Sequence, residues 1–198
     1  EDGENATKGI ISDKTKGVSR KGREFLCRDG WKVSVSSDVG ETVYEMFDGK
    51  KDTYWHSHFT TLNGTVTEHE ASPYYIRVIL PEKTEISGLS LLPRQDRNLG
   101  SFTEIDIYAS ESDEGEWTLV KENYPCYGNL TLNEIHFASN IAVKKLRIEA
   151  TTVGYGTLAE LNIMAKDESL PTLTYEELSK NEEEMLPERI DTSAFTAS

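Results

Sequence analysis

Cysteine is nearly absent. Cys27 and Cys126 are the only two in 198 residues, too few for a disulfide framework and without a second Cys or His at zinc-ligand spacing. Two readings stay open for them: separate thiols, or one disulfide tying the start of a domain to a mid-chain loop in an exported protein. Long apolar runs are also missing. None approaches the roughly 20 residues that span a bilayer, and a mean hydropathy of −0.54 fits a soluble chain. Positive charge is scarce too: 21 Lys and Arg stand against 35 Asp and Glu, for a formal charge of −14. We therefore expect no nucleic-acid binding, which needs a concentrated basic face, and no membrane insertion or attraction to anionic lipid.

Catalytic signatures are lacking as well. The chain holds no Gly-x-Ser-x-Gly elbow, His-Glu-x-x-His helix, P-loop or Gly-x-Gly-x-x-Gly turn. Carboxylates suffice for a glycosidase-like pair, but no motif places two in that relation. We expect no enzyme. The chain begins without an initiator Met or an apolar leader, so a mature or excised form is expected. Asn5, Asn63 and Asn129 each head an Asn-x-Thr triplet, relevant only in a eukaryotic secretory pathway.

What is present divides by composition into three zones. Residues 1–28 form a polar lead-in with Lys14, Lys16, Arg20, Lys21 and Arg23. Residues 29–165 repeat short strand signals, and residues 166–198 form an acidic extension broken by Pro171 and Pro187. In the middle zone the apolar period is two. Val33 and Val35 mark one strand. Tyr75–Leu80, stopped by Pro81, marks the next, and Ile86–Leu91, closed by Pro93, another. Phe102 to Tyr108, Trp117 to Val120, Ile135 to Phe137, Val143 to Ile148 and Leu158 to Ile163 complete the set. This predicts an all-β antiparallel sandwich or jelly roll, with an irregular lead-in and an acidic tail leading toward another domain. Tyr175 to Met185 has helix-forming composition, and Thr174 with Glu177 has the spacing of a capping box. Glu134 and His136 read as a solvent-facing pair on their strand.

The run from Phe47 to Phe59 is the densest in chemistry, holding Asp48, Asp52, Thr53, Trp55, His56 and His58. Asp48-Gly49 is either a plain turn with Asp52 as a cap, or half of a hard-cation site built from carboxylates, hydroxyls and carbonyls.

The order of motifs resembles the discoidin, or coagulation factor 5/8 type C, domain, and most nearly its family 32 carbohydrate-binding branch. The likeness is carried by Arg28 to Ser37, Phe47-Asp48-Gly49 through Trp55-His56-Ser57, Pro73 to Val78, Ile86-Ser87-Gly88-Leu89 with Pro93-Arg94-Gln95-Asp96, Ile105 to Ser110 with Trp117, and Gly156 to Leu161. It covers about residues 28–165 and implies a galactose-binding-like fold. It also implies a structural Ca2+ held by Asp48, Asp52, Thr53 and Glu160 with carbonyls near Met46 and Ala159.

For a ligand, the resemblance implies carbohydrate, in particular galactose-type sugars, held by His56 and Arg94, with Phe59 or Tyr155 as the aromatic platform. Glu41 or Asp38 is a candidate acidic acceptor. The family's sugar-contacting Asn before Gly100 is replaced by Leu99, which leaves Asn98 as its substitute. Family habit implies a module of a larger secreted, periplasmic or surface-attached bacterial protein of glycan utilisation, with neighbouring domains as partners. The other reading is an adhesion or scaffold domain with a degenerate sugar site. Lipid-binding loops would need apolar spikes over a basic ring, against the acidic balance.

Overall fold

The fold comes from a computed structural model and is described for residues 3–15, 17–128, 130–180 and 188–189. Two long strands organise it. β6 (Tyr74–Leu92) and β9 (Asn133–Thr152) pair antiparallel along nearly their whole length, with register shifts between Ile79 and Thr84 and between Ile86 and Gly88. On one side of the shifts, β1 (Thr7–Ile10), β2 (Lys32–Val35), β7 (Phe102–Ser110) and β8 (Thr118–Pro125) complete the order β1-β2-β6-β9-β7-β8. On the other side, β11 (Glu160–Ala165) pairs with β6. There β9 meets β12 (Thr172–Leu173) and β13 (Glu188–Arg189). β6 and β9 thus bend from one layer of an antiparallel β-sandwich into the other. Outside this sheet, β3 (Trp55–His56) pairs with β10 (Thr157–Leu158), and β4 (Phe59–Leu62) with β5 (Thr65–His69).

The all-β expectation holds, and period-two alternation is the reason. Val33, Val35, Ile76, Val78, Ile105, Ile107, Leu146 and Ile148 turn inward from one layer. Leu89, Leu91, Ile135, Phe137, Leu161 and Ile163 do so from the other, and all join one core with Trp31 and Trp55.

Several expectations need correction. The strands expected at 75–80 and 86–91 are one, as are those at 135–137 and 143–148. Pro81 does not stop β6, because it lies in the irregular stretch between Ile79 and Thr84, where no ladder donor is required. Part of the lead-in is strand: β1 extends the sheet through β2, Ile11 is buried, and Phe25 bridges to Met164. The hairpin β4–β5 was not foreseen, although Asn63-Gly64 at its turn has the positive φ values that such turns need. Glu134 and His136 are not solvent-facing; they are 2% and 1% exposed. The lead-in crosses over them, with Arg20 N donating to Glu134 at 3.0 Å, and Glu188 pairs with His136 along β9.

The start of the acidic extension is docked. Asn140 Nδ2 donates to the carbonyls of Asp167 (2.9 Å) and Leu170 (3.1 Å), Tyr175 OH donates to Ala142 O, and Leu178 is buried. α1 (Tyr175–Lys180) opens with the expected capping box, in which Thr174 N donates to Glu177 Oε2 and Glu177 N to Thr174 Oγ1. The rest of the expected helix to Met185, the Glu182–Glu184 run and the Asn129 triplet lie outside the described residues. Cys27 and Cys126 form no disulfide with each other.

Gly88 sits where β6, β9 and β11 pack tightest. A Cβ there would lie 2.2 Å from the Ile135 carbonyl oxygen and 2.7 Å from Met164 Sδ. Backbone cannot yield as a side-chain tip can, so Gly88→Ala should cost about 3 kcal/mol. Denaturant melts of the two proteins measure it.

Candidate functional site

The segment after Phe47 is anchored at two points. Trp55, fully buried, donates its indole N–H to Ser37 O at 2.8 Å and packs edge-on against Tyr74 (5.7 Å) and Phe102 (6.5 Å). Alternation along β3 then turns His56 outward, opposite Thr157 of β10.

Four rings gather around His56 at this end of the sandwich. Its ring centroid lies 4.9 Å from Phe59, 5.2 Å from Tyr155 and 6.4 Å from Tyr54. Phe59 and Tyr155 meet edge-on at 5.8 Å, and His69 closes on Tyr155 at 4.9 Å. Three expected residues, His56, Phe59 and Tyr155, therefore converge. Tyr54 and His69 join them without having been named for the site. The Asn63-Gly64 turn was the available signal for His69, because it folds β5 back beside Phe59. A polar hollow of about 770 Å3 adjoins the hairpin and includes His58 and His69.

Arg94 lies beneath this group, 4% exposed. Nε donates to Asp96 Oδ1 and Nη2 to Asp96 Oδ2, both at 2.7 Å; Nη2 also donates to Tyr54 OH, and the guanidinium stacks 4.1 Å over the Tyr54 ring. The Arg94 bonds hold the Asp96 carboxyl down to about 2. This is the structural ion pair open to such an Arg, yet Nη1 has no partner among the described residues. His56 Nδ1 donates to Ser57 O at 2.7 Å, which leaves Nε2 as an acceptor when the ring is neutral. Burial chiefly, and the Arg94 charge after it, hold the imidazole below its ordinary value; the Ser57 bond and Asp38 oppose them.

Other expected residues stand apart. Asp38 accepts five bonds, from Thr7, Gly40, Val43 and both the amide and hydroxyl of Thr42, so it fixes the start of the 3-10 helix Thr42–Phe47 instead of facing a ligand. Glu41 is exposed at φ 59 before that helix and makes no described contact with the His56 group. Asn98 is exposed and accepts a bond from Ser101 Oγ at 2.8 Å.

At the segment's other anchor, Asp48 Oδ1 accepts from Lys50 N at 2.9 Å and Oδ2 from Thr53 Oγ1 at 2.5 Å. Arg28, buried and unassigned from the sequence, donates through Nη1 to Glu160 Oε2, to Leu161 O (3.2 Å) and to Met46 O (3.4 Å), and pairs with Asp13 at 2.7 Å. Glu160 Oε1 is buried without a hydrogen-bond partner. Burial first, with Asp48 beside it, pushes the Glu160 carboxyl up to about 7 against the pull of Arg28. Of the expected calcium ligands, Asp48, Thr53, Met46 O and Glu160 are joined through these contacts. Ala159 is buried beside Glu160, and Asp52 is exposed and makes no described contact with the group. Among the described residues no cluster of three His, Cys, Asp or Glu has metal-binding geometry, so any cation here would rely on carbonyl and hydroxyl oxygens as well. The orphaned Glu160 oxygen beside Asp48 fits such a hard cation.

A model of the F5/8 type C domain family matches residues 32–161. The fold is similar to the family 32 module of Clostridium perfringens NanJ in complex with galactose, at 28% identity and a TM-score of 0.56, over 67% of this chain and 92% of that one. It is also similar to a family 32 module from a family 31 glycoside hydrolase of C. perfringens, at 25% identity and a TM-score of 0.54, over 67% and 88%. In sequence it is 28% identical over 144 residues to galactose oxidase of Gibberella zeae, covering 70% of this chain. The chain spans about a fifth of the length of the curated relatives it matches.

The raised Glu160 carboxyl fixes a pH dependence. Its value in the fold, about 7, lies above the ordinary 4.5. The folded state therefore binds that proton more tightly, and stability should fall as pH rises from about 4.5 through 7, by at most about 3 kcal/mol. In metal-free protein, Glu160→Gln should flatten this part of a melting-temperature profile. An unchanged slope would remove Glu160 as its source.

Proposed function

The chain belongs to the F5/8 type C domain family, and we propose that it is a non-catalytic carbohydrate-binding module for a terminal galactose-type sugar. The observation that carries this is the proximity of His56, a neutral acceptor, to the fixed Arg94 guanidinium beside the rings of Tyr54, Phe59 and Tyr155. His56 Nε2 accepts from one sugar hydroxyl, and Arg94 Nη1 donates to a neighbouring one. Asp96 and Tyr54 hold the Arg94 plane in place, so little side-chain freedom is lost on binding. Phe59 and Tyr155 offer apolar surface to the C–H face of the ring. The galactose bound by the NanJ module supports the ligand class.

A calcium ion at Asp48, Thr53, Glu160 and Met46 O would sit beside the Glu160 oxygen that Arg28 leaves unbonded, and would be structural. It competes with the Glu160 proton, so its stabilising effect should be larger at pH 8 than at pH 5. The module would belong to a larger secreted or surface glycan-degrading protein, where repeated modules supply avidity. Leu99 and the outward-turned Asn98 favour a second reading, a scaffold domain whose sugar site is degenerate.

Titration calorimetry with galactose should give weak, measurable binding. Arg94→Ala and His56→Ala should each weaken it about tenfold or more, roughly 1.4 kcal/mol. Because His56 is held below the ordinary imidazole value, binding should persist through neutral pH and fade only further into acid. Full retention in both variants would overturn the site, and no binding to any neutral glycan on an array would favour the scaffold reading.

A further inference from the structure

The outward face of the main sheet carries a cluster of cations apart from the loop-end residues. Strand register aligns its outward residues in two rows. Ile10, Lys32, Ile79, Lys145 and Ser110 stand opposite one another in one row. Lys8, Ser34, Arg77, Arg147 and Tyr108 form the next. Five cations thus share one face of a chain whose formal charge is −14, with Arg77 directly opposite Arg147.

A groove of about 550 Å3 runs over these rows, and Lys8, Lys32, Arg77, Lys145, Ile79 and Trp117 line it. Lys145 is only 9% exposed, with Nζ 4.4 Å over the Trp117 ring. Arg147 lies 4.4 Å over Tyr108 and 5.0 Å from Trp117. Among the described residues no carboxylate pairs with Lys8, Lys32 or Lys145. The acids nearby are engaged: Asp113, which also lines the groove, reaches Lys144 at 3.7 Å, and Glu149 holds Arg147 at 2.9 Å.

We propose that this groove binds an anionic oligosaccharide, one carrying uronate or sulfate groups, independently of the loop-end sugar site. Charge complementarity selects the anion, and the aliphatic stems, Ile79 and Trp117 offer apolar surface that a pyranose C–H face matches. From β1 to β7 the face crosses four strand gaps, about 19 Å at about 4.8 Å each, long enough for several sugar units. The groove lies over the faces of β1, β2, β6 and β9, whose ladder groups are paired within the sheet except at the outer side of β1, so a peptide backbone finds few free partners there. Duplex nucleic acid, a longer and stiffer polyanion, would reach beyond the groove over the rest of this acidic chain.

The test is titration of the full chain with tetragalacturonate and with a heparin-derived sulfated tetrasaccharide. A neutral galactose tetrasaccharide, a tetraglutamate peptide and a short DNA serve as controls. At least one anionic sugar should bind about tenfold tighter than the neutral one, and which one distinguishes carboxylate from sulfate. That binding should weaken as salt rises from about 0.02 M to about 0.3 M. It should drop about fivefold or more in K8S/K32S, whose two exposed positions leave the core untouched, and stay unchanged in H56A. Neither anionic sugar exceeding the neutral one, the peptide or DNA binding at least as tightly, or K8S/K32S binding like the parent would each overturn the groove. Galactose binding fails or holds separately.

Discussion

The rest of the structure depends on how the buried carboxylate of Glu160 is held. It stands at the start of β11, where the chain returns to pair with β6. Arg28 reaches it from the lead-in, and the same guanidinium takes the Met46 and Leu161 carbonyls and Asp13. One side chain therefore joins the lead-in, the short helix and β11. Removing either partner of such a pair would strand a buried charge, usually the costliest kind of defect. Asp48 and Glu160 together outnumber the one guanidinium beside them, which is why the proposed cation would be a stabilising addition there.

That anchor and the Trp55 anchor bracket the segment between them. Asp48, bonded by Thr53, stands beside Glu160, whereas His56 packs with Phe59 and Tyr155. The polar groups of the candidate site are thus fixed by buried structure around them. Arg94 shows the same economy: Asp96 and Tyr54 immobilise the guanidinium, and one nitrogen is left over. An ion pair and a recognition element need not be alternatives.

Much of this was legible in the chain. Alternation at Val33 and Val35, at Ile76 and Val78 and at Ile105 and Ile107 suffices to name an all-β sandwich, because each residue serves one face of one sheet. Continuity was harder. Nothing in Pro81 says whether a strand ends there or bends through an irregular stretch, since both spare the missing donor. Burial by a distant segment was illegible: Glu134 and His136 alternate like surface residues, and the lead-in folding over Glu134 and β13 pairing at His136 come from far along the chain. Arg28 was invisible for the same reason, as its partners lie 15 and 132 residues away. The cationic face needs register to appear, because Lys8, Lys32, Arg77 and Lys145 are scattered in sequence and adjacent only across strands.

The central claim is that the loop end around His56 holds a sugar. The most direct measurement is an amide chemical-shift map of the chain titrated with galactose to tens of millimolar. The account predicts concentration-dependent shifts confined to residues 54–59, His69, the Arg94 segment and Tyr155, with the sheet face unmoved. Shifts elsewhere with these residues silent, or no shifts at all, would contradict it.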